Sequence, residues 1–188
     1  MGFELQTLIG RLNATCRSAL ETAAELCVSQ THFNVEVEHL LLKLLEAKDT
    51  DLSRLLRYYE VDPLQLEREL TEVMDTFKRG NSRTPALSQH ILKLLEEAWL
   101  LSSLKLDSPQ IRSGGMLYAL VDNEALRALV LDSCKSLIRI PKESLQKDIR
   151  EIINGSVEDE KSPQPTGAKL VQPGGKQQKT NTPNLDQY

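Results

Sequence analysis

Aromatic residues are scarce in this chain: three Phe, four Tyr and one Trp make up 4% of 188 residues. With so few rings, and with no basic stripe beside them, there is no platform for stacking bases. The formal net charge of −4, with both signs interspersed, gives no electrostatic footprint for nucleic acid either. No apolar run reaches bilayer length and no signal peptide opens the chain, so neither a membrane nor an export route is expected. Three cysteines, an odd number, argue against a disulfide framework and for a reducing, cytoplasmic setting. β-Branched alternation never lasts more than a few residues, which removes the strand signal. His32, His39 and His90 fall in no His-Glu-x-x-His or Cys-x-x-Cys pattern, so the spacing offers no metal set.

What is present is a pattern written twice. From Leu12 the sequence reads Leu-Asn-x-x-Cys-x-x-Ala-Leu-x-x-Ala-Ala-x-Leu, and from Leu87 it reads Leu-Ser-x-x-Ile-x-x-Leu-Leu-x-x-Ala-Trp-x-Leu, an offset of 87 − 12 = 75. Val35 to Leu45 then matches Ile111 to Val121 at 111 − 35 = 76. A short leucine-rich helix follows in each copy (Leu52, Leu55, Leu56; Leu126, Leu129, Val130), then a proline turn (Val61-Asp-Pro63; Ile140-Pro141) and a last helix (Leu64 to Phe77; Leu145 to Ile153). Self-similarity at this period fixes the architecture before any single helix is assigned. The fold class is all-α: two tandem four-helix repeats related by a pseudo-two-fold axis, an extra N-terminal helix, and a flexible tail. The seam between similar halves is where a ligand groove is expected.

The boundaries follow. Residues 1–11 carry the extra helix, centred on 3–10, which has no counterpart in the second copy. Residues 12–79 form the first repeat, 80–86 a linker, and 87–154 the second repeat. Asn13 and Ser88 stand at matching N-cap positions, each able to accept from an orphan backbone N–H. Residues 155–188 hold four of the eight prolines and four of the nine glycines and almost no large apolar residue, so they read as a flexible linker. Phe3, Leu5, Leu8, Ile9 and Leu12 are too many apolar residues for a solvated first turn. The segment either packs on the core or presents one edge as the wall of an exposed groove.

Other residues invite chemical readings that their surroundings weaken. Cys16 and Cys27 lie on the apolar stripe of the first long helix and read as core residues. His39, at a helix start, reads as a structural hydrogen-bonding residue, and Glu36 and Glu38 as first-turn acids facing the positive helix end. Pro173-Gly-Gly-Lys176 has the look of a phosphate loop, but Gln177 replaces the required Ser or Thr and Leu170 the first glycine. Gly114-Gly115 replaces the Glu38-His39 of the first copy, which is expected to open space beside the groove.

The quoted strings resemble the N-terminal domain of Clp unfoldases, a double helical repeat that precedes AAA+ ATPase rings. Val35-Glu-Val-Glu-His-Leu-Leu-Leu-Lys-Leu-Leu45 looks like the most recognisable string of that family, and Val61-Asp-Pro63 resembles its turn before the last helix of each repeat. The resemblance covers about residues 11–153. Thr182 to Tyr188 is similar to the family's lead-in to the first ATPase ring. The extra helix and the Leu-Asn-x-x-Cys-Arg string at residues 12–27 resemble most the ClpV branch (TssH) of type VI secretion. Gly114 and Gly115 depart from the family pattern.

The resemblance implies a substrate-recognition domain that binds an N-terminal helix of the large sheath subunit (VipB/TssC-like), so that contracted sheath is disassembled and recycled. The chain would then be a monomeric fragment of a hexameric parent, with no catalysis or cofactor of its own; ATP and Mg belong to the ATPase domains. An amphipathic helix would lie in a groove beside the start of the first long helix. Phe3, Leu5, Leu8, Ile9, Leu12 and Asn13 are expected along it, with Cys16 and Leu20 as floor and Leu87, Ile91 and Ser102 from the second copy. A general Clp N-domain that binds an adaptor or unfolded clients is the nearest alternative. A small all-α hydrolase using Glu36, Glu38 and His39 is the reading from another class.

Overall fold

The structure, a computed structural model, describes residues 4–160. It is mostly helical: α1 (Leu5–Arg11), then α2 (Ala14–Ser29), α3 (Val37–Glu46), α4 (Asp51–Tyr58) and α5 (Pro63–Met74), then α6 (Gln89–Leu104), α7 (Ser113–Asp122), α8 (Glu124–Ser133) and α9 (Lys142–Ile153), and a final short α10 (Val157–Glu160). The helices α2–α5 and α6–α9 are the two copies. The second copy adds a 3₁₀ turn, Lys135–Arg139, which the sequence pattern did not announce. Its Ser136 donates from backbone and hydroxyl to Glu69 of α5, at 3.0 and 2.7 Å.

Helix starts obey local chemistry. Asn13 accepts from Cys16 N, Thr50 from Ser53 N, Ser88 from Ile91 N and Asn123 from Leu126 N. At α5, Asp62 accepts from Leu64 N and Pro63 fills the first turn, where a missing N–H costs nothing.

The pseudo-two-fold axis appears in the backbone. Strand β1 (Asn34–Val35) pairs in parallel with β2 (Ala86–Leu87), placing Val35 opposite Leu87. An isolated bridge pairs Leu12 with Ile111. The repeat offsets turn one pair into the other: 12 + 75 = 87, and 111 − 76 = 35. Each first helix therefore begins against the loop that precedes the second helix of the other copy. Asn13 N donates to Ile111 O at 3.1 Å, and Ser88 N to Val35 O at 3.0 Å. The two repeats share one continuous core, with Leu40, Leu55, Leu70, Leu94, Leu117 and Leu145 each fully buried.

The inter-repeat linker, residues 80–86, is held against the first repeat, Asn81 N donating to Thr31 O at 2.9 Å and Asn81 Nδ2 to His32 O at 3.1 Å. Two expectations change. The end of the domain lies beyond residue 154, because Ser156 and Glu158 are buried and held by both repeats; the linker reading of 161–188 falls outside the described residues. Gly114 and Gly115 open no space. A Cβ on Gly114 would stand 3.0 Å from Asp51 Oδ2, and one on Gly115 would stand 2.1 Å from Ser102 Oγ. The two glycines let α7 sit close against α4 and α6.

Candidate functional site

The helix without a counterpart, α1, packs against α6. Its Arg11 guanidinium lies 4.7 Å over the ring of Trp99, and Ile9 O accepts from Arg17 of α2 at 3.2 Å. Leu8 points inward and is fully buried, while Leu5 and Ile9 are half-buried. The helix is thus docked by one edge, as the packing reading of the segment expects, and Leu5 and Ile9 keep partial exposure.

Most of the expected groove lining lies in the core. Leu8, Cys16, Ile91 and Ser102 are 0% exposed, Leu12 and Asn13 2% and Leu20 8%. None of these can touch a ligand without the domain opening, so as contact residues they are corrected. The same apolar spacing serves a core stripe and a groove stripe, and a helix between two layers turns that stripe inward. Leu5, Ile9 and Leu87 retain partial exposure. Leu87 sits in β2, at the pseudo-symmetric counterpart of the α1 junction rather than beside it. Phe3 lies outside the described residues.

The internal symmetry points to residues that were missed. In the first copy a surface cavity of about 350 Å³ runs between α2 and the inter-repeat segment, lined by Ala24, Glu25, Val28, Ser29, Thr84 and Pro85. At the 75-residue offset, Thr84 and Pro85 correspond to Ile9 and Gly10 of α1, and Ala24, Glu25 and Ser29 to Trp99, Leu100 and Leu104. The equivalent surface of the second copy therefore lies where α1 meets α6. It carries leucines where the first copy carries Glu25 and Ser29, and Ser103 where the first copy carries Val28. Leu100 is 40% and Leu104 76% exposed. Aligning the two copies and asking where polar becomes apolar would have found both leucines. A second depression, about 510 Å³, borders the start of α2 on its other side, between Ala14, Thr15, Ser18 and Thr22 and the end of α3 at Lys43 and Glu46.

The three residues of the hydrolase reading do not assemble a site. Glu36 and His39 flank the start of α3, and Glu36 N donates to His39 Nδ1 at 2.9 Å. Burial pushes the Glu38 carboxyl up and the His39 imidazole down to about 4. Tertiary structure does gather Cys27, His32 and His39, whose ligand atoms lie within 4.8 Å of one another. Spacing along the chain gave no hint of this.

The hydrogen bonds already assign the protons in that cluster. Since His39 Nδ1 accepts from Glu36, its Nε2 carries the hydrogen and donates to His32 Nδ1 at 2.9 Å. His32 then carries its hydrogen on Nε2, which is buried and has no hydrogen-bond partner among the described residues. A metal on His39 Nε2 would require a proton on Nδ1, against the Glu36 N–H. Burial raises the Cys27 thiol to about 11, further from the thiolate a metal needs. The hydrogen bonds present are those of a neutral histidine pair. Cys16 and Cys134 are buried as well, and all three thiols are free. No helix among the described residues is long and apolar enough to cross a membrane.

Comparison with known proteins places this geometry. The chaperone protein ClpB of Yersinia enterocolitica is 32% identical over 158 residues, which are 84% of this chain and 18% of ClpB. The AAA+ ATPase ClpV1 of Pseudomonas aeruginosa is 28% identical over 152 residues, 81% of this chain and 17% of ClpV1. The chain thus spans under a fifth of the curated relatives it matches. Among solved structures, a ClpV N-domain in complex with a VipB peptide superposes with a TM-score of 0.73 at 32% identity, over 84% of this chain and 96% of that one. The Clp repeat (R) N-terminal domain family matches residues 11–134, and this chain, with its two Clp repeats closed on one core, belongs to that family as a ClpV-like N-domain.

Proposed function

We propose that the chain is the substrate-recognition domain of a type VI secretion unfoldase, and that it holds an amphipathic helix from the N-terminus of the large sheath subunit. The observation that carries this reading is the break in internal symmetry at α1 and α6. A helix replaces a loop as one wall, and Leu100 and Leu104 replace Glu25 and Ser29. The peptide-bound ClpV N-domain, 32% identical over nearly its whole length, supports it from outside. A helical ligand would set its i, i+3, i+4 and i+7 side chains against Leu5, Ile9, Leu100 and Leu104. Burying a few such leucines yields moderate affinity once the cost of ordering the peptide is met, and several domains on one ring add avidity.

In this reading the domain works in the cytoplasm as a monomeric fragment of a hexameric parent. It performs no catalysis itself, and ATP and Mg act in the parent's ATPase domains. The test is a fluorescence-anisotropy titration with the sheath subunit's N-terminal peptide. Ile9→Asp and Leu104→Asp should each weaken binding about tenfold, the effect of losing an apolar anchor of about 1.4 kcal/mol. Unchanged affinity in both variants would refute the groove. The similarity to ClpB favours one second reading, capture of unfolded clients. Binding of casein as tight as binding of the sheath peptide would select it.

A further inference from the structure

The segment that leaves the second repeat is bound by more polar contacts than a domain exit needs. Gly155, at φ +89°, reverses the chain after α9, a conformation open to glycine at little cost. Arg54 of α4 donates to Asn154 O at 2.8 Å and to Gly155 O at 3.0 Å, and Val157 N donates to Asp49 O at 2.9 Å. Ser156 Oγ donates to Asp51 at 2.6 Å. Arg112 makes two bonds to Asp51, at 2.7 and 2.8 Å, and a third to Asp159 at 2.7 Å.

At the centre, the Glu158 carboxylate, 3% exposed, accepts from five donors on three helix starts. They are Asp51 N at 2.8 Å, Ser113 N at 2.8 Å, the Ser113 hydroxyl, Asn13 Nδ2 at 2.9 Å and, longest, the Cys16 thiol at 3.9 Å. Asn13 also caps α2 through Cys16 N at 2.9 Å. One asparagine therefore joins the exit of the chain to the first turn of α2, and Leu12, next to it, is the junction with α1.

We infer that Ser156, Glu158 and Asp159 form a clasp that couples the chain leaving the domain to the start of α2, so that releasing Glu158 loosens the α1–α2 junction and weakens peptide capture. The physical reason is the double duty of Asn13. Without the carboxylate, its Nδ2 group and the N–H groups of Asp51 and Ser113 are left buried and unpartnered, and the amide can leave its cap to satisfy them. Pulling on the chain beyond residue 160 acts on the same bonds. The coupling is read from the peptide-free fold; its consequence for capture rests on the function proposed above.

The test compares the 188-residue chain with Glu158→Ala and Glu158→Gln, and with Glu69→Gln, which removes a carboxylate cap elsewhere between the repeats. Amide hydrogen exchange is followed at Cys16, Asp51 and Ser113, with Leu70 in α5 as reference, and each variant is titrated with the sheath peptide. Glu158→Ala should raise exchange at all three amides by at least about tenfold relative to Leu70, as expected when a buried charged partner is lost. It should also weaken the peptide at least about threefold, while Glu158→Gln shows a smaller change in the same direction and Glu69→Gln leaves Cys16 unmoved. The coupling is overturned if Cys16 does not respond while Asp51 and Ser113 do, if every amide speeds up equally, or if affinity is unchanged. Should Glu158→Ala not fold, the Gln variant decides by the same criteria. A wild-type chain that fails to bind the peptide sinks the proposed function instead, and is scored before any variant is compared.

Discussion

Acidification from pH 7.5 to 5 should destabilise this domain through its buried histidine pair. His39 is 0% exposed, and burial, with the neighbouring His32, lowers its imidazole from 6.5 to about 4. In the unfolded chain the same group titrates near 6.5, so between the two values the unfolded state binds more protons than the native state. Stability contributed by His39 is therefore complete above pH 6.5 and is lost as the pH falls toward 4. Between pH 7.5 and 5 the loss is about 2 kcal/mol, from roughly 1.5 units at about 1.4 kcal/mol each. His32, also lowered by burial, adds to it in the same direction. The raised carboxyls Glu38 and Glu158 act oppositely, since the native state holds their protons more tightly than the unfolded chain. The quantity to measure is thus a difference between two proteins. Urea unfolding would be followed by far-UV circular dichroism and by the fluorescence of Trp99, the sole tryptophan, at pH 7.5, 6 and 5. In His39→Gln, which keeps an acceptor for Glu36 N and a donor for His32, the acid loss should shrink by about 2 kcal/mol. Parallel pH dependences for wild type and variant would refute a buried His39 that stays neutral down to about pH 4.

Further outcomes follow from packing and chemistry. Leu8→Asp should unfold or strongly destabilise the domain, by more than the roughly 2–5 kcal/mol of a buried Leu→Ala change, whereas Ile9→Asp should leave the melting temperature within a few degrees; thermal unfolding separates them. Gly115→Ala forces a Cβ onto Ser102 Oγ and should cost about 1–3 kcal/mol, with part recovered in the Gly115→Ala/Ser102→Ala double variant; additive denaturation energies would contradict the contact. Asn13→Ala should cost more than the roughly 1 kcal/mol expected for the simple cap Ser88→Ala, because Glu158 loses a donor as well. Zinc added at pH 7.5 should not raise the melting temperature, because the Glu36 N–H occupies the side of His39 that a metal-bound ring must protonate; a rise at stoichiometric zinc would overturn that proton assignment.

Much of the fold could be read directly from the residues. Apolar positions every three to four residues, caps at Asn13 and Ser88, and the 75-residue echo of Leu12 at Leu87 are local signals, and local signals determine helices and their order. The same signals could not say which apolar stripe faces a neighbour. Leu8, Leu12, Cys16 and Ile91 have the spacing of a groove and the burial of a core. Leu100 and Leu104 are the same kind of residue in the same kind of helical spacing, and they stay at the surface.

The sequence by itself determined the repeat, the helices and their order, and the family resemblance, because each rests on residues within a few turns or on one period. Only the tertiary structure decided the rest. It closed the pseudo-two-fold pairing of Leu12 with Ile111 and of Val35 with Leu87, filled the space at Gly114 and Gly115 with Asp51 and Ser102, and brought His32 onto His39. It also carried Glu158 back across 145 residues to Asn13. Apart from the histidine pair, seven residues apart, these contacts join residues far apart in the chain, and the energies of all of them depend on burial and on which helix ends meet, which no local pattern records.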